Sequence, residues 1–233
     1  HNNKKEKATE AVLAGAAQAP LGDDSDEEDL AGLFYTGGTT GASKGVMLPH
    51  RNLIANAFNW LSAVPQGPND RSLVMAPMFH AAGSNGILAA IWQGSCQVAL
   101  NTFEPKTVLQ LIEKHKINIT LGVPSMLSAI AEEQHVNPKD VSSLKILAHG
   151  GSPIATEVIK RCSQAFTSAQ MVEVYGATET SPLATLLGNE EQLIDDPKAR
   201  SCGRSVIGCA ITICAPEGHA LPTGEVGEVV VSG

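Results

Sequence analysis

The sequence predicts an α/β fold in which helices cross over between short buried strands. Segments of helical composition alternate with short apolar runs along most of the chain, and Gly or Pro punctuates the joins. One segment, Thr107 to Lys116, sets Val108, Leu111, Ile112 and His115 on a single stripe, the period of a helix.

Leu30-Ala31-Gly32-Leu33-Phe34-Tyr35 reads as a buried strand, and Val46-Met47-Leu48 as a second strand halted by Pro49. The Gly- and Thr-rich stretch between them is therefore a strand-to-strand turn. Asn52 to Ala63 has helical composition, and Ser72 to Ala76 reads as a strand ended by Pro77. Pro105 takes a first-turn position before the striped helix. Ile117 to Val123 is then a strand, Ser125 to Glu133 a helix, and Leu144 to Ala148 a strand. Thr156 to Phe166 is a helix and Gln170 to Val174 a strand, and from Cys202 short strands with Gly/Pro turns begin a β-rich subdomain.

The turn Thr36-Gly37-Gly38-Thr39-Thr40-Gly41-Ala42-Ser43-Lys44-Gly45 has what phosphate oxygens require. Gly37, Gly38, Gly41 and Gly45 leave backbone N–H groups unobstructed, Thr36, Thr39 and Thr40 add hydroxyl donors, and Lys44 adds a cation. It is not the common nucleotide loop, because Gly45 follows the lysine and no helix does. These residues point to a nucleoside triphosphate.

The loop resembles the phosphate-binding signature of the AMP-forming, adenylate-forming synthetases, which include acyl-CoA synthetases, luciferases and peptide-synthetase adenylation domains. Further segments match in the same order: Pro77-Met78-Phe79-His80, Gly150-Gly151-Ser152-Pro153, Tyr175-Gly176-Ala177-Thr178-Glu179-Thr180 and Gly224-Glu225-Val226-Gly227-Glu228-Val229. The chain departs from the family's usual loop at Gly38, where Ser is frequent, and at Ser43, where Pro is frequent. Losing the proline leaves the backbone before Lys44 less constrained. No counterpart of the family's Thr-Gly-Asp segment, its following arginine or its C-terminal lid domain with a catalytic lysine is found. The resemblance implies an N-terminal tail and acidic linker over 1–29, then a partial AMP-binding domain over 30–233 with mostly parallel sheets and flanking helices.

It also implies a reaction: a carboxylate, from a fatty or related acid, attacks the α-phosphate of ATP to give acyl-AMP and pyrophosphate, and the thiol of coenzyme A then takes the acyl group. By this resemblance Lys44, Thr178 and Glu179 are catalytic, Lys44 holding the outer phosphates and Thr178 the α-phosphate, while Glu179 ligates Mg²⁺. Thr36, Gly37, Gly38, Thr39, Thr40 and Gly41 bind phosphate. Tyr175 and Gly176 lie against adenine, with Gly151 and Ser152 on the other side of the base. His80 and Gly83 line the acid pocket, although a hydrogen-bonded structural role for His80 stays open. Glu225 and Glu228 read as structural turn and strand residues. An aryl-acid or carrier-protein adenylation domain, a non-catalytic nucleotide-binding module and a kinase-like phosphotransferase are the competing readings.

Length and composition suit part of a soluble enzyme, with 233 residues and 43% apolar content. The net charge of −8 argues against a basic nucleic-acid surface. Asp23, Asp24, Asp26, Glu27, Glu28 and Asp29 concentrate that charge in what reads as a solvated linker. No apolar run approaches a membrane span, and Lys4 to Ala17 reads as a surface helix or tail in place of a secretory signal. Five cysteines without a Cys-x-x-Cys pair fit reduced thiols in the cytoplasm, mostly as small core residues. The sequence carries no sign of oligomeric state.

Overall fold

A computed structural model describes residues 25–37, 43–188 and 196–233, together with Ala11, Ala14 and Gly15. Most of the expected tail, Asp23, Asp24, and loop residues Gly38, Thr39, Thr40 and Gly41 lie outside the described residues.

β1 (Leu30–Thr36) and β2 (Lys44–Pro49) form an antiparallel hairpin, with Thr36 opposite Lys44 and Leu30 opposite Pro49. The strand-to-strand reading of the loop is thus correct. The expected burial of the first strand is not: the hairpin stands outside the main sheet, and Leu33 and Tyr35 are exposed. The acidic residues 26–29 form a turn fastened to the next helix, where His50 N–H donates to Asp29 O at 3.1 Å and Arg51 pairs with Glu28 at 2.7 Å.

The main sheet has seven strands in the order β4-β3-β5-β6-β7-β8-β9. Its elements are α1 (His50–Ala63), β3 (Arg71–Val74), α2 (Ala81–Gln93), β4 (Cys96–Ala99) and α3 (Pro105–His115). β5 (Ile119–Gly122), α4 (Pro124–Val136), β6 (Ile146–Gly150), α5 (Thr156–Ala165) and β7 (Gln170–Tyr175) follow. The strands from β4 to β7 are parallel, and β8 (Thr185–Leu187) and β9 (Arg204–Ser205) close the far edge antiparallel. β10 (Ala210–Cys214) and β11 (Glu228–Ser232) make a separate hairpin, the β-rich start expected there.

Two apolar cores sandwich the sheet. α3, α4 and α5 bury Ile112, Leu127 and Phe166 against Leu73, Leu147 and Met171 on one face. On the other, α1 and α2 bury Trp60 and Ala89 against Ile119, Ala148 and Val172. Alternate strand residues face opposite sides, which is why adjacent Leu147 and Ala148 belong to different cores. Phe58 of α1 and Trp92 of α2 meet edge to face at 4.7 Å on the exposed side of that pair.

Strand order reverses between β3 and β5. The chain leaves β3 toward β4 at one edge, then crosses back to β5 and continues toward β6 and β7. At such a switch the loops at the carboxyl ends part in opposite directions and leave a crevice.

α2 and β4 are absent from the sequence reading. Gly83 and Gly86 are poor helix formers, and a helix apolar on nearly every side carries no amphipathic period. The cysteine reading needs correction as well: Cys162 and Cys214 are buried, but Cys96 and Cys202 are exposed, and none of the five is in a disulfide. No helix among the described residues is long and apolar enough to cross a membrane.

Candidate active site

A cavity of about 260 Å³ occupies the crevice between β3 and β5. Ser72 to Ala76 line it along β3 and Ile119 to Leu121 along β5, with Trp60 of α1 beside them. His80 and Gly83 of the α2 start, Gly151 after β6, and Tyr175, Gly176 and Thr178 after β7 also line it. The fold therefore brings together residues separated by about half of the chain.

The β6–β7 ladder explains the convergence. Gly150 is opposite Val174, so the turns beginning at Gly151 and Gly176 leave adjacent parallel strands at the same end. Gly151 has φ +80°, a conformation that excludes most side chains. Gly176 is required for space: a Cβ there would lie 1.7 Å from the Pro182 carbonyl oxygen.

Thr178–Thr180 forms a single 3₁₀ turn in which the Ala177 N–H donates to Thr180 Oγ1 at 2.9 Å. Thr178 is half-buried and lines the cavity, whereas Glu179 and Ser152 are exposed beside it and do not. β2 runs against this turn, which brings the Lys44 strand to the same end of the sheet. Lys44 is exposed, and the Thr36 hydroxyl is engaged with the Lys44 carbonyl at 3.5 Å. His80 has a structural hydrogen bond and also reaches the cavity. Its Nδ1 accepts the Ala82 N–H at 3.2 Å as the N-cap of α2. Gly83 is fitted to the backbone too, since a Cβ would lie 2.4 Å from Pro77 O.

α1 contributes residues that the sequence reading missed. Buried Asn56 donates through Nδ2 to Leu183 O at 2.9 Å and Thr180 O at 3.2 Å, and accepts the Leu183 N–H at 3.1 Å. Asn52 donates to Ser181 Oγ at 3.2 Å, and Asn59 accepts the Gly208 N–H at 2.9 Å. Three asparagines in one helix were the available signal, because Asn disfavours helix interiors unless its amide has a partner.

His149 and Glu173 are opposite one another on β6 and β7, below the Gly151 and Tyr175 turns. His149 is fully buried, neither ring nitrogen has a hydrogen-bond partner, and burial lowers its pKa to about 4. Burial raises the Glu173 carboxyl. Cys162, raised by burial to about 11, is an inert core thiol.

The AMP-binding enzyme model matches residues 2–233. The chain belongs to the AMP-binding enzyme family. It is 34% identical over 207 residues to a feruloyl-CoA synthase of Amycolatopsis, covering 88% of this chain and 41% of that protein. To the medium/long-chain-fatty-acid–CoA ligase FadD8 of Mycobacterium tuberculosis it is 31% identical over 214 residues, covering 90% of this chain and 36% of the ligase. The N-terminal domain of FACL13 from the same organism, solved with an inhibitor, superposes with a TM-score of 0.87 at 27% identity over 97% of this chain and 55% of that one. The α/β architecture is thus that of N-terminal domains in adenylate-forming enzymes. This member of the AMP-binding family spans about two fifths of the length of the curated relatives it matches.

Proposed function

We propose that the chain is the acid- and nucleotide-binding part of an AMP-forming acyl-CoA synthetase, with 1–29 as tail and linker and 30–233 as part of the AMP-binding domain. The observation that carries this reading is an apolar cavity at the sheet's switch point that Thr178 and Tyr175 line. An acid held in it has its carboxylate at that end, where a nucleotide's α-phosphate can meet it.

Carboxylate and triphosphate repel, so the protein must offset charge and hold the reacting oxygens in line. The start of α2 suits the carboxylate, since the helix dipole favours an anion there. His80 adds a donor: with Nδ1 accepting from Ala82, the neutral ring carries its proton on Nε2. Thr178 then holds the α-phosphate by its hydroxyl, and Tyr175 covers adenine opposite Gly151 and Ser152. Thr36, Gly37, Gly38, Thr39, Thr40, Gly41 and Lys44 hold the outer phosphates, with the Lys44 charge compensating the departing pyrophosphate. The carboxylate oxygen bonds to phosphorus as the pyrophosphate bond breaks. Coenzyme A, through its thiol, then takes the acyl group and AMP leaves.

Glu179 would hold Mg²⁺, which offsets phosphate charge when bound. An exposed carboxylate next to the phosphate-facing turn fits a cation that takes one or two carboxylates and completes its shell with phosphate oxygens and water. Five unpaired cysteines support a reducing compartment such as the cytoplasm.

Carboxylate-dependent exchange of pyrophosphate into ATP, measured on the full-length protein with aliphatic and aromatic acids, tests the reading. Exchange that requires an acid is expected. ATP binding without exchange would leave a non-catalytic nucleotide module, and ADP as product would mean a phosphotransferase.

A further inference from the structure

The largely apolar cavity has a polar end at the amino end of β3. Gln66 and Ser72 line it there, with Ile119 opposite Ser72 in the ladder. Thr178 lines it after β7, past the carboxyl ends of the strands. Ser72 and Ala76 are four positions apart, about 13 Å at the strand rise. Trp60, Val74 and Leu121 add apolar wall.

The hydrogen bonds around Gln66 and Ser72 leave one acceptor and one donor. Gln66 Nε2 donates to Ser72 Oγ at 2.7 Å and to Ser95 Oγ at 3.3 Å. The Ser95 hydroxyl is engaged in turn with Ala90 O at 3.3 Å. No described residue donates to Gln66 Oε1, and none accepts the Ser72 hydroxyl proton. Neither atom is sealed from access without a partner, as the His149 nitrogens are. A hydroxyl group is the complement of this pair, because it donates one hydrogen bond and accepts another.

We infer that Gln66 and Ser72 are specificity-determining residues, selecting a carboxylic acid whose far end carries a hydroxyl group. The acid's hydroxyl donates to Gln66 Oε1 and accepts from Ser72 Oγ while its carboxylate lies at the α2 start. A plain acid of equal length leaves both protein groups unpaired, and sites built this way discriminate against the analogue lacking the polar group. The inference rests on reading the cavity as the acid's site, and it deepens that reading.

Isothermal titration calorimetry follows occupancy of the cavity without catalysis. The full-length protein is titrated with hexanoate, octanoate and decanoate and with their ω-hydroxy counterparts. At the best-fitting length the hydroxy acid is expected to bind about tenfold more tightly, the size of one net hydrogen bond. Gln66→Leu should bring that ratio to about one. Ser72→Ala removes only one small donor and carries the same test should Gln66→Leu not fold. Equal or tighter binding of the plain acids, a preference that survives both substitutions, or no response to any acid would overturn the inference. Pyrophosphate exchange separates the two claims: a hydroxyl preference without exchange sinks the adenylation reading alone, and exchange without the preference sinks this one alone.

Discussion

Asn56 and Leu183 exchange two hydrogen bonds, side-chain amide to backbone, across 127 positions of sequence. A third, to Thr180 O, joins α1 to the end of the turn that carries Thr178 and Glu179. Removing the amide leaves a buried N–H and a buried C=O unpaired. Asn56→Ala is expected to lower stability by about 3 kcal/mol in urea denaturation. Asn52→Ala, which loses a single bond to a serine hydroxyl, should cost about 1 kcal/mol. Equal effects of the two substitutions would show that Asn56 does not hold the turn.

Gly176→Ala is expected to displace the 176–182 segment, because the added methyl would sit 1.7 Å from the Pro182 oxygen. Backbone cannot yield as a flexible side chain can, so a loss of about 2–4 kcal/mol follows, with weakened ATP binding. Thermal unfolding and calorimetric titration with ATP check both. A variant with the parent's melting temperature and ATP affinity would contradict the close approach.

His149 gives the acid response a defined sign. Its folded pKa of about 4 is below the ordinary 6.5, so between those values the unfolded chain binds a proton that the folded one refuses. This contribution to stability is present above pH 6.5 and is lost as pH falls toward 4. The full loss is up to about 3 kcal/mol. His149→Leu should therefore show a flatter decline than the parent over that range in urea denaturation at stepped pH. Parallel profiles would mean that the imidazole is not held neutral by burial.

Lys44→Ala is expected to weaken ATP and pyrophosphate handling by about 10²-fold while leaving acid binding unchanged, since one charge on the outer phosphates is removed. Glu179→Gln should raise the Mg²⁺ concentration needed for turnover. Steady-state kinetics with each ligand varied in turn check these, and an unchanged ATP dependence in Lys44→Ala would refute its role.

The sequence made the family legible where specific side chains recur in a fixed order. The Gly/Thr/Lys turn and the Tyr175 to Thr180 motif could be read directly, as could the strands preceding Gly151 and Gly176. It failed where the information is spread along the chain. α2 escaped because Gly83 and Gly86 mimic loop composition, while a helix apolar on nearly every side carries no amphipathic period. Asn56 escaped because its partners are fixed only by the folded chain, and β8 and β9 are too short to carry a period. His80 offered two meanings because a helix cap and a pocket wall use the same side chain here.

The central claim is that an acid in the cavity attacks the α-phosphate of ATP. Oxygen-18-labelled carboxylate, incubated with the full-length protein, ATP, Mg²⁺ and coenzyme A, tests it most directly. Attack at the α-phosphate transfers one labelled oxygen to the nucleotide, so mass spectrometry should find the label in AMP and in no other nucleotide. Unlabelled AMP, or ADP as the nucleotide product, would contradict the account.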